Sequence, residues 1–417
     1  MLLLFKMSYS HNSQDSSVSA KNWLYVAGAI VLTFPALYLK ITSVHTDPQV
    51  GAIVFGLAIV GAAFLVTWAA ESAQARTSQA LVLALVALIA ILPEYAVDLY
   101  FAWTAGKDPS YAAYAAANMT GANRLLIGIG WSMVLFLFCM KGGGRTLQIH
   151  KAQTTELSFL VIATLYSFTI PIKGHLSLVD TLVLVTLFGL YMWRSSRGRV
   201  EEVELVGPSA AIDALPESRR RVITILFFLF PAFVILMSAE PFAEGLIQTG
   251  KSLNIDEFIL IQWIAPLASE APELLIAALF VLRHNATAGM GILISSKVNQ
   301  WTLLVGTLPL AYSISSGGLG ALPLDARQVE EVLLTSAQSV FAIVILAHLR
   351  FSLRDASALF LLFATQLIFT DPRVRYGYSA LYLALALFML LKDRERVRRL
   401  YRIVRDTASG LRSSDNE

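Results

Sequence analysis

The chain consists of long apolar stretches separated by short polar segments. A bilayer crossing needs about 20 predominantly apolar residues, and by this rule the 417 residues predict twelve membrane spans. The predicted spans run over 23–43, 50–70, 79–104, 111–139, 156–172, 176–193, 222–247, 255–282, 286–315, 329–349, 356–371 and 376–391. The pattern therefore predicts an all-α polytopic protein whose surroundings are the lipid bilayer.

The long polar interruption lies between the sixth and seventh spans. It contains six arginines and five acidic residues and divides the chain nearly in half. Spans two to six and seven to eleven then form two repeats of five helices, with spans one and twelve added. An odd number of spans inverts one repeat relative to the other, an arrangement known from transporters. The predicted organisation is a disordered tail at 1–22, a first membrane half at 23–193, a cytoplasmic linker at 194–221, a second membrane half at 222–391 and a basic cytoplasmic tail at 392–417.

Two weaker signals accompany the repeats. The segment 175–180, which opens the sixth span, resembles the segment 350–355, which opens the eleventh. The small residues Gly121 and Gly289 predict close approach of the helices that carry them.

Composition and charge agree with a membrane location. Hydrophobic residues make up 56% of the chain and charged residues 15%, against about 25% charged residues in soluble domains. With both termini cytoplasmic, that side carries 23 of the 32 lysines and arginines and the external loops carry seven, as the positive-inside rule requires. A bacterial inner membrane is the expected location. The lone Cys139 excludes an internal disulfide, while the oligomeric state and the start at Met1 or Met7 stay open.

The most informative motifs are two buried Pro-Glu pairs, one in each half. A carboxylate at membrane depth costs about 2.5 kcal/mol or more, so it usually faces a pathway or a partner. Each proline is expected to break its helix and free a backbone carbonyl beside the carboxylate. Such an oxygen-rich place suits a hard cation. We therefore expect Glu94 and Glu273 to bind a metal ion, next to the helix breakers Pro93 and Pro272.

Further polar residues accompany each pair. Asp98 shares a helix face with Glu94, and Glu270 shares one with Glu273, so both are candidate ligands or partners of a nearby base. Asn118, Asn123 and Asn299 offer neutral oxygens, or serve only to hold helices together.

At these residues the chain resembles the cation/Ca²⁺ exchanger superfamily, which includes sodium/calcium and proton/calcium antiporters. That family has two inverted repeats, each with a Gly-Thr-Ser-Leu-Pro-Glu type motif and a Gly-Asn…Gly-Ser-Asn type motif on the next helix. The corresponding segments here are 90–94 with 117–123 and 268–273 with 295–299. The resemblance implies exchange of Ca²⁺ against Na⁺ or H⁺ by alternating access, with Glu94 and Glu273 as central ligands and Asn118, Asn123, Ser269 and Asn299 around them.

The chain departs from this family pattern at several positions. Ala90 and Ile91 replace hydroxyl residues, and Glu270 stands where a serine is usual. Each repeat also brings a base close to its amide, namely Arg124 and Lys297. A fixed cation can tune the charge of the site or replace a transported ion; a constitutive salt bridge is the other interpretation of Lys297. A Na⁺/H⁺ antiporter on the same fold therefore remains an alternative.

Other classes of function are less well supported. Nucleotide binding is not expected of this chain. The histidines lie at span ends rather than in a catalytic cluster, and we expect no enzyme activity. No cofactor besides the transported ions and no nucleic acid is expected. A cation-binding membrane sensor or a channel stays open as an alternative of another class.

Overall fold

The computed structural model describes residues 20–74, 91–196, 205–369 and 371–412. Several expectations fall outside these ranges: most of the disordered tail, the beginning of the third span with Ala90, the middle of the linker and the end of the basic tail.

The described chain is almost entirely helical, as predicted. Its α-helices are α1 (Ala20–Thr42), α2 (Pro48–Gln74), α3 (Leu92–Ala105), α4 (Ala112–Leu125), α5 (Ser132–Met140), α6 (Thr154–Ser167), α7 (Thr169–Lys173), α8 (Leu178–Ser196), α9 (Pro208–Asp213), α10 (Glu217–Leu253), α11 (Glu257–Leu282), α12 (Ala286–Asn299), α13 (Val305–Ser316), α14 (Ala326–Leu346), α15 (Leu353–Gln366), α16 (Pro372–Lys392) and α17 (Arg394–Arg412). Short 3₁₀ turns cover Pro109–Tyr111 and Lys151–Gln153.

Nine helical stretches in the described ranges are long and apolar enough to cross a membrane. The three other predicted spans are helical as well: α3 forms the described part of the third, α12 and α13 form the ninth, and α15 forms the eleventh. The polytopic helical fold is therefore confirmed. Two helices extend into segments predicted to be polar, because α1 begins at Ala20 and α10 begins at Glu217.

Local signals in the sequence define the helix ends. Asn254 ends α10 with a φ of 55°, the left-handed conformation that suits asparagine after a helix. The Asp256 side chain then accepts a 3.0 Å bond from the Phe258 amide and caps α11. Asp325 and Gln328 form a reciprocal capping box at α14. These caps permit short connections, so that successive spans pack against one another.

Both halves contain a π-helical segment shortly after the predicted amide. In the first half, α4 continues through Leu126–Trp131 into α5, and in the second half α12 continues through Gln300–Leu304 into α13. The segments carry Trp131 and Trp301, the two largest fully buried side chains in the part of the chain that the structure describes. Wide helical turns of this kind are frequent at functional sites.

Two small antiparallel sheets join the halves. Strand β1 (Thr146–Gln148) pairs with β4 (Arg350–Ser352), and β2 (His175–Leu176) pairs with β3 (Leu322–Pro323). In each sheet the loop after the third helix of one repeat pairs with the loop after the fourth helix of the other. The pairing pattern is therefore the one expected for two repeats related by a two-fold axis in the membrane plane.

The helices cross closely where small residues allow it. A Cβ atom placed on Gly121 of α4 would lie 1.8 Å from the Gln262 carbonyl oxygen of α11, and one on Gly289 would lie 2.6 Å from the Ala277 oxygen. The predicted role of these glycines is confirmed. The contact of α4 with α11 brings the amides of the first half next to the carboxylates of the second.

Candidate cation site

Three carboxylates from the two repeats meet between α3 and α11. Ligand-capable oxygens of Glu94, Glu270 and Glu273 all lie within 4.8 Å of one another. Glu94 and Glu270 are buried and Glu273 is partly buried. Glu94 stands in the first turn of α3, while the other two occupy one face of α11. The structure thus brings together both residues predicted as metal ligands, with Glu270 beside them.

Many oxygens around this cluster have no hydrogen-bond donor among the described residues. They include one carboxylate oxygen each of Glu94, Asp98, Glu270 and Glu273 and the side-chain oxygen of Asn118. Buried acceptors without a donor are uncommon in folded proteins. A set of five in one place indicates a site for a cation or for protons.

Electrostatic repulsion supports the same interpretation. Two unit charges at a separation of 4.8 Å repel by roughly 3.5 kcal/mol at an effective dielectric constant of about 20. Three carboxylates at such separations therefore need either a cation or protons between them. The cluster favours whichever positive species is available.

The two prolines occupy different places in their helices. Pro93 lies in the first turn of α3, where the missing amide hydrogen costs little. Pro272 lies inside α11, which continues without a break from Glu257 to Leu282. The prediction that Pro272 breaks its helix is therefore wrong. Its ring removes the donor for the Ala268 carbonyl, but the helix continues past it to Leu282.

The predicted neutral ligands differ in how far they are already engaged. Asn118 lies within hydrogen-bonding reach of Asp98 and keeps a free oxygen. Asn299 accepts a 3.0 Å bond from the Tyr95 hydroxyl. The Ser269 hydroxyl donates to carbonyls of its own helix, at 3.3 Å and 3.4 Å. Among these neutral residues, Asn118 is thus the one whose side-chain oxygen is available as a ligand for a cation in the cluster.

Lys297 is buried and bonds to an amide rather than to a carboxylate. Its Nζ donates to Asn123 Oδ1 at 2.6 Å and lies 4.4 Å from the centre of the Trp301 ring. The Asn123 side chain in turn donates to the Met119 carbonyl at 2.8 Å. Lys297 forms no ion pair with any described acidic residue, so the salt-bridge interpretation finds no support there.

Arg124 points away from the carboxylate cluster. Its guanidinium pairs with Glu331 of α14, which also pairs with Arg375 of α16. Glu330 lies 3.7 Å from Arg375 and completes a buried group of two positive and two negative side chains. Arg124 therefore belongs to a neutral network that joins the fourth, tenth and twelfth spans, and it makes no described contact with the predicted cation ligands.

Two further residues of the site were not predicted. Gln300, in the second π segment, donates through Nε2 to Glu270 and also reaches Glu94. Tyr95 follows Glu94 directly and orients Asn299. The position of Gln300 carried a signal, since it follows Asn299 as Arg124 follows Asn123. A polar side chain directly after the amide in both repeats is a feature of the sequence that motif matching alone overlooks.

Comparisons with known proteins agree on one family. The sodium/calcium exchanger protein family model matches residues 49–197 and 223–370. The crystal structure of the H⁺/Ca²⁺ exchanger CAX is similar to this chain at 48% identity, covers 93% of this chain and 99% of its own, and superposes with a TM-score of 0.89. No curated protein sequence matches.

More distant structures share the fold. Native YfkE is 14% identical, covers 83% of this chain and 98% of its own, and has a TM-score of 0.58. The sodium-calcium exchanger NCX_Mj is 16% identical, covers 78% of this chain and 99% of its own, and has a TM-score of 0.50. The match over both halves, together with the closely similar exchanger structure, shows that this chain belongs to the sodium/calcium exchanger protein family of membrane antiporters.

Proposed function

We propose that this chain exchanges Ca²⁺ for H⁺ across the membrane. The observation that carries the proposal is the convergence of Glu94, Glu270 and Glu273, each of which offers a carboxylate oxygen within 4.8 Å of the others. Each of the three also has one oxygen without a hydrogen-bond donor among the described residues. Ca²⁺ is bound by about six to eight oxygens, with carboxylates preferred. The 48% identity to a protein described as an H⁺/Ca²⁺ exchanger favours the proton as counter-ion.

Exchange follows if Ca²⁺ and protons use the same oxygens. A bound Ca²⁺ neutralises the carboxylates, and protons do the same when Ca²⁺ leaves, so the two occupancies exclude one another. The site draws Glu94 from the first repeat and Glu270 and Glu273 from the second. A movement of one helix bundle against the other, with the charge neutralised, then exposes the site alternately to the two sides of the membrane.

Lys297 has a separate role in this proposal. Its ammonium group is a resident cation that holds Asn123 and occupies space and charge that a second metal ion would need. With Asn123 Oδ1 engaged at 2.6 Å, fewer neutral oxygens remain for Na⁺. Lys297 thereby tunes the site toward one divalent ion and protons. Arg124, compensated by Glu331, contributes little to the charge of the site.

The proposed setting is a bacterial inner membrane with both termini and the linker on the cytoplasmic side. The distribution of lysine and arginine supports this orientation. The chain acts as a transporter rather than as an enzyme, and its substrates are small inorganic cations.

The test is uptake of ⁴⁵Ca²⁺ into proteoliposomes that contain the full chain. We expect uptake driven by an outward proton gradient and little uptake driven by an outward Na⁺ gradient of equal size. Uptake under the Na⁺ gradient alone would make Na⁺ the counter-ion. The Na⁺/H⁺ alternative predicts no calcium flux under either gradient, with proton release on addition of Na⁺. Calcium binding with neither flux would indicate a sensor.

A further inference from the structure

A cavity of ≈ 520 Å³ lies at one membrane face, and its lining includes none of the residues of the carboxylate cluster. Its walls come from the N-terminal ends of α6 and its preceding 3₁₀ turn, the C-terminal end of α8, the residues that follow α14 and the middle of α17. These segments all lie on the same side of the bilayer, because they begin the fifth span and end the sixth and tenth. The cavity therefore opens at the level of the lipid headgroups, on the face that also carries the linker.

The lining of this cavity is strongly positive. Lys151, Arg194, Arg399 and Arg402 contribute cations, and Asp406 is the one acidic residue among the described residues of the lining. Asp406 is engaged by Arg405 at 2.9 Å, and Arg399 by Glu395 at 2.9 Å. Lys151, Arg194 and Arg402 form no ion pair within the described ranges. The cavity thus holds positive charge that no described residue of the protein neutralises.

Arg194 gives the most direct sign of a missing partner. Its Nε atom is buried and has no hydrogen-bond acceptor among the described residues. A buried guanidinium N–H without an acceptor is costly, and guanidinium groups pair with phosphate through parallel N–H···O bonds. Thr154, Thr155 and Thr407 add hydroxyl groups to the same lining.

The cavity wall formed by α17 is fixed in place. Arg396 of α17 donates to the Val344 carbonyl at 2.7 Å and to the Ile345 carbonyl at 3.3 Å, and so caps the end of α14. His348 lies 2.6 Å from Asp393 at the start of α17, and this hydrogen bond keeps the pKa of Asp393 below its usual range. The site is thus built before any ligand arrives, rather than formed by a loose tail.

An apolar surface continues from the cavity into the bilayer. Leu190 lies one turn from Arg194 on α8 and is 40% exposed, and Ile162 lies two turns from Thr155 on α6 and is 37% exposed. On α17, Val397 and Tyr401 are exposed beside the arginines. A soluble anion would need only the cations, whereas a lipid needs both the cations and this adjoining apolar surface.

We infer that this cavity binds the phosphate headgroup of an anionic phospholipid from the surrounding bilayer. Arg194 and Arg402 contact the phosphate, and the acyl chains lie along the apolar surfaces of α6 and α8. Basic pockets between transmembrane helices at the cytoplasmic face are suited to such headgroups. The bound lipid ties α17 to the fifth and sixth spans. This inference does not depend on which ions the chain exchanges.

The test is native mass spectrometry of the detergent-solubilised full chain, titrated with phosphatidylglycerol or with phosphatidylcholine. We expect wild type to retain phosphatidylglycerol in preference to phosphatidylcholine. The Arg194→Gln/Arg402→Gln variant should bind phosphatidylglycerol roughly 30-fold more weakly, about 5-fold for each cation removed. Arg394→Gln/Arg398→Gln is the matched control, since it also removes two positive charges, both from α17 outside the cavity, and it should bind like wild type.

Three results would overturn the inference. Equal retention of both lipids by wild type would show that charge is not recognised, and this comparison needs no variant to fold. A loss in Arg394→Gln/Arg398→Gln as large as in Arg194→Gln/Arg402→Gln would indicate general surface attraction. Displacement of the lipid by millimolar inorganic phosphate would identify the cavity as a site for soluble anions.

Discussion

The two repeats share an architecture, but their buried basic residues have different kinds of partner. In the first repeat, Arg124 follows the Asn123 amide and pairs with Glu331, which is not part of the carboxylate cluster. In the second repeat, Gln300 follows the amide and binds Glu270 in the site, while Lys297 bonds to Asn123 across the interface. The first repeat therefore contributes a neutralised, structural charge. The second contributes a base, Lys297, that forms no ion pair among the described residues and lies close to the cluster.

This difference separates a role in folding from a role in ion selection. A buried charge that is paired with an opposite charge lowers the stability of the protein strongly only when its partner is removed. A buried charge without an ionic partner acts on every other charge nearby at all times. Two bases that look alike in the sequence are thus expected to respond differently to substitution.

The largest effect is expected at the carboxylates to which both repeats contribute. Glu94→Gln and Glu273→Gln should each reduce ⁴⁵Ca²⁺ uptake in proteoliposomes by roughly 1,000-fold, to the level of empty liposomes, because each removes a charged ligand from a buried site. Glu270→Gln should lose about 10-fold, since Gln300 already engages one of its oxygens. A Glu94 variant that retains uptake would show that the second repeat alone forms the site.

The next effect tests the neutral network of the first repeat. Glu331→Gln should lower the free energy of unfolding by roughly 3 kcal/mol, because it leaves Arg124 buried without a charged partner. Adding Arg124→Gln should recover a large part of this loss. Unfolding in detergent, followed by circular dichroism, measures both variants. Equal instability of the single and double variants would contradict the pairing seen in the structure.

A smaller effect is expected for Lys297, the buried base of the second repeat. Lys297→Ser should lower the KM for Ca²⁺ by roughly 10-fold, since a nearby positive charge is removed, and Na⁺ should then inhibit uptake. Lys297→Arg retains the charge and serves as the control for packing. If Na⁺ leaves uptake by Lys297→Ser unchanged, the ammonium does not occupy the place of a transported ion.

The smallest effect compares the helix caps that open the last helix of each repeat. Asp180 accepts from the Ser177 amide at 2.7 Å and also binds Lys173 at 2.5 Å, whereas Asp355 accepts from the Ser352 amide at 3.0 Å and forms no described ion pair. Asp355→Ala should cost about 1 kcal/mol of stability, as expected for a lost cap, and Asp180→Ala should cost more. Thermal unfolding of both variants measures the difference. A larger loss at Asp355 would contradict this ranking.

Much of the fold could be predicted from the sequence, because the helices that form it depend on residues that are close together in the chain. Apolar length predicts spans, and the repeated Pro-Glu pairs mark where the two repeats meet. The resemblance between 175–180 and 350–355 was also a true signal, since each segment contains a short strand and, at or directly after its end, a serine that bonds to an aspartate three residues later.

The remaining features depend on contacts between distant parts of the chain. Nothing near Arg124 indicates that Glu331, in the tenth span, is its partner, and nothing near Lys297 selects Asn123 over a carboxylate. The π segments could not be predicted from the sequence either, because apolar residues fit α and π turns alike. The helix α17 could have been predicted, because apolar residues recur at helical spacing within the basic tail. These residues are Val397, Leu400, Tyr401 and Ile403.

The two small sheets have a consequence for how the protein is made. Each takes one strand from each half, and Thr146 pairs with Ser352, about 200 residues later in the chain. At about 5–20 residues per second of synthesis, the first strand waits roughly 10–40 s for its partner. During this interval the first half resides in the bilayer with unpaired strand edges at both faces. Biogenesis of this transporter therefore includes an obligatory intermediate, and factors that shield that half-made protein would decide how much of it matures.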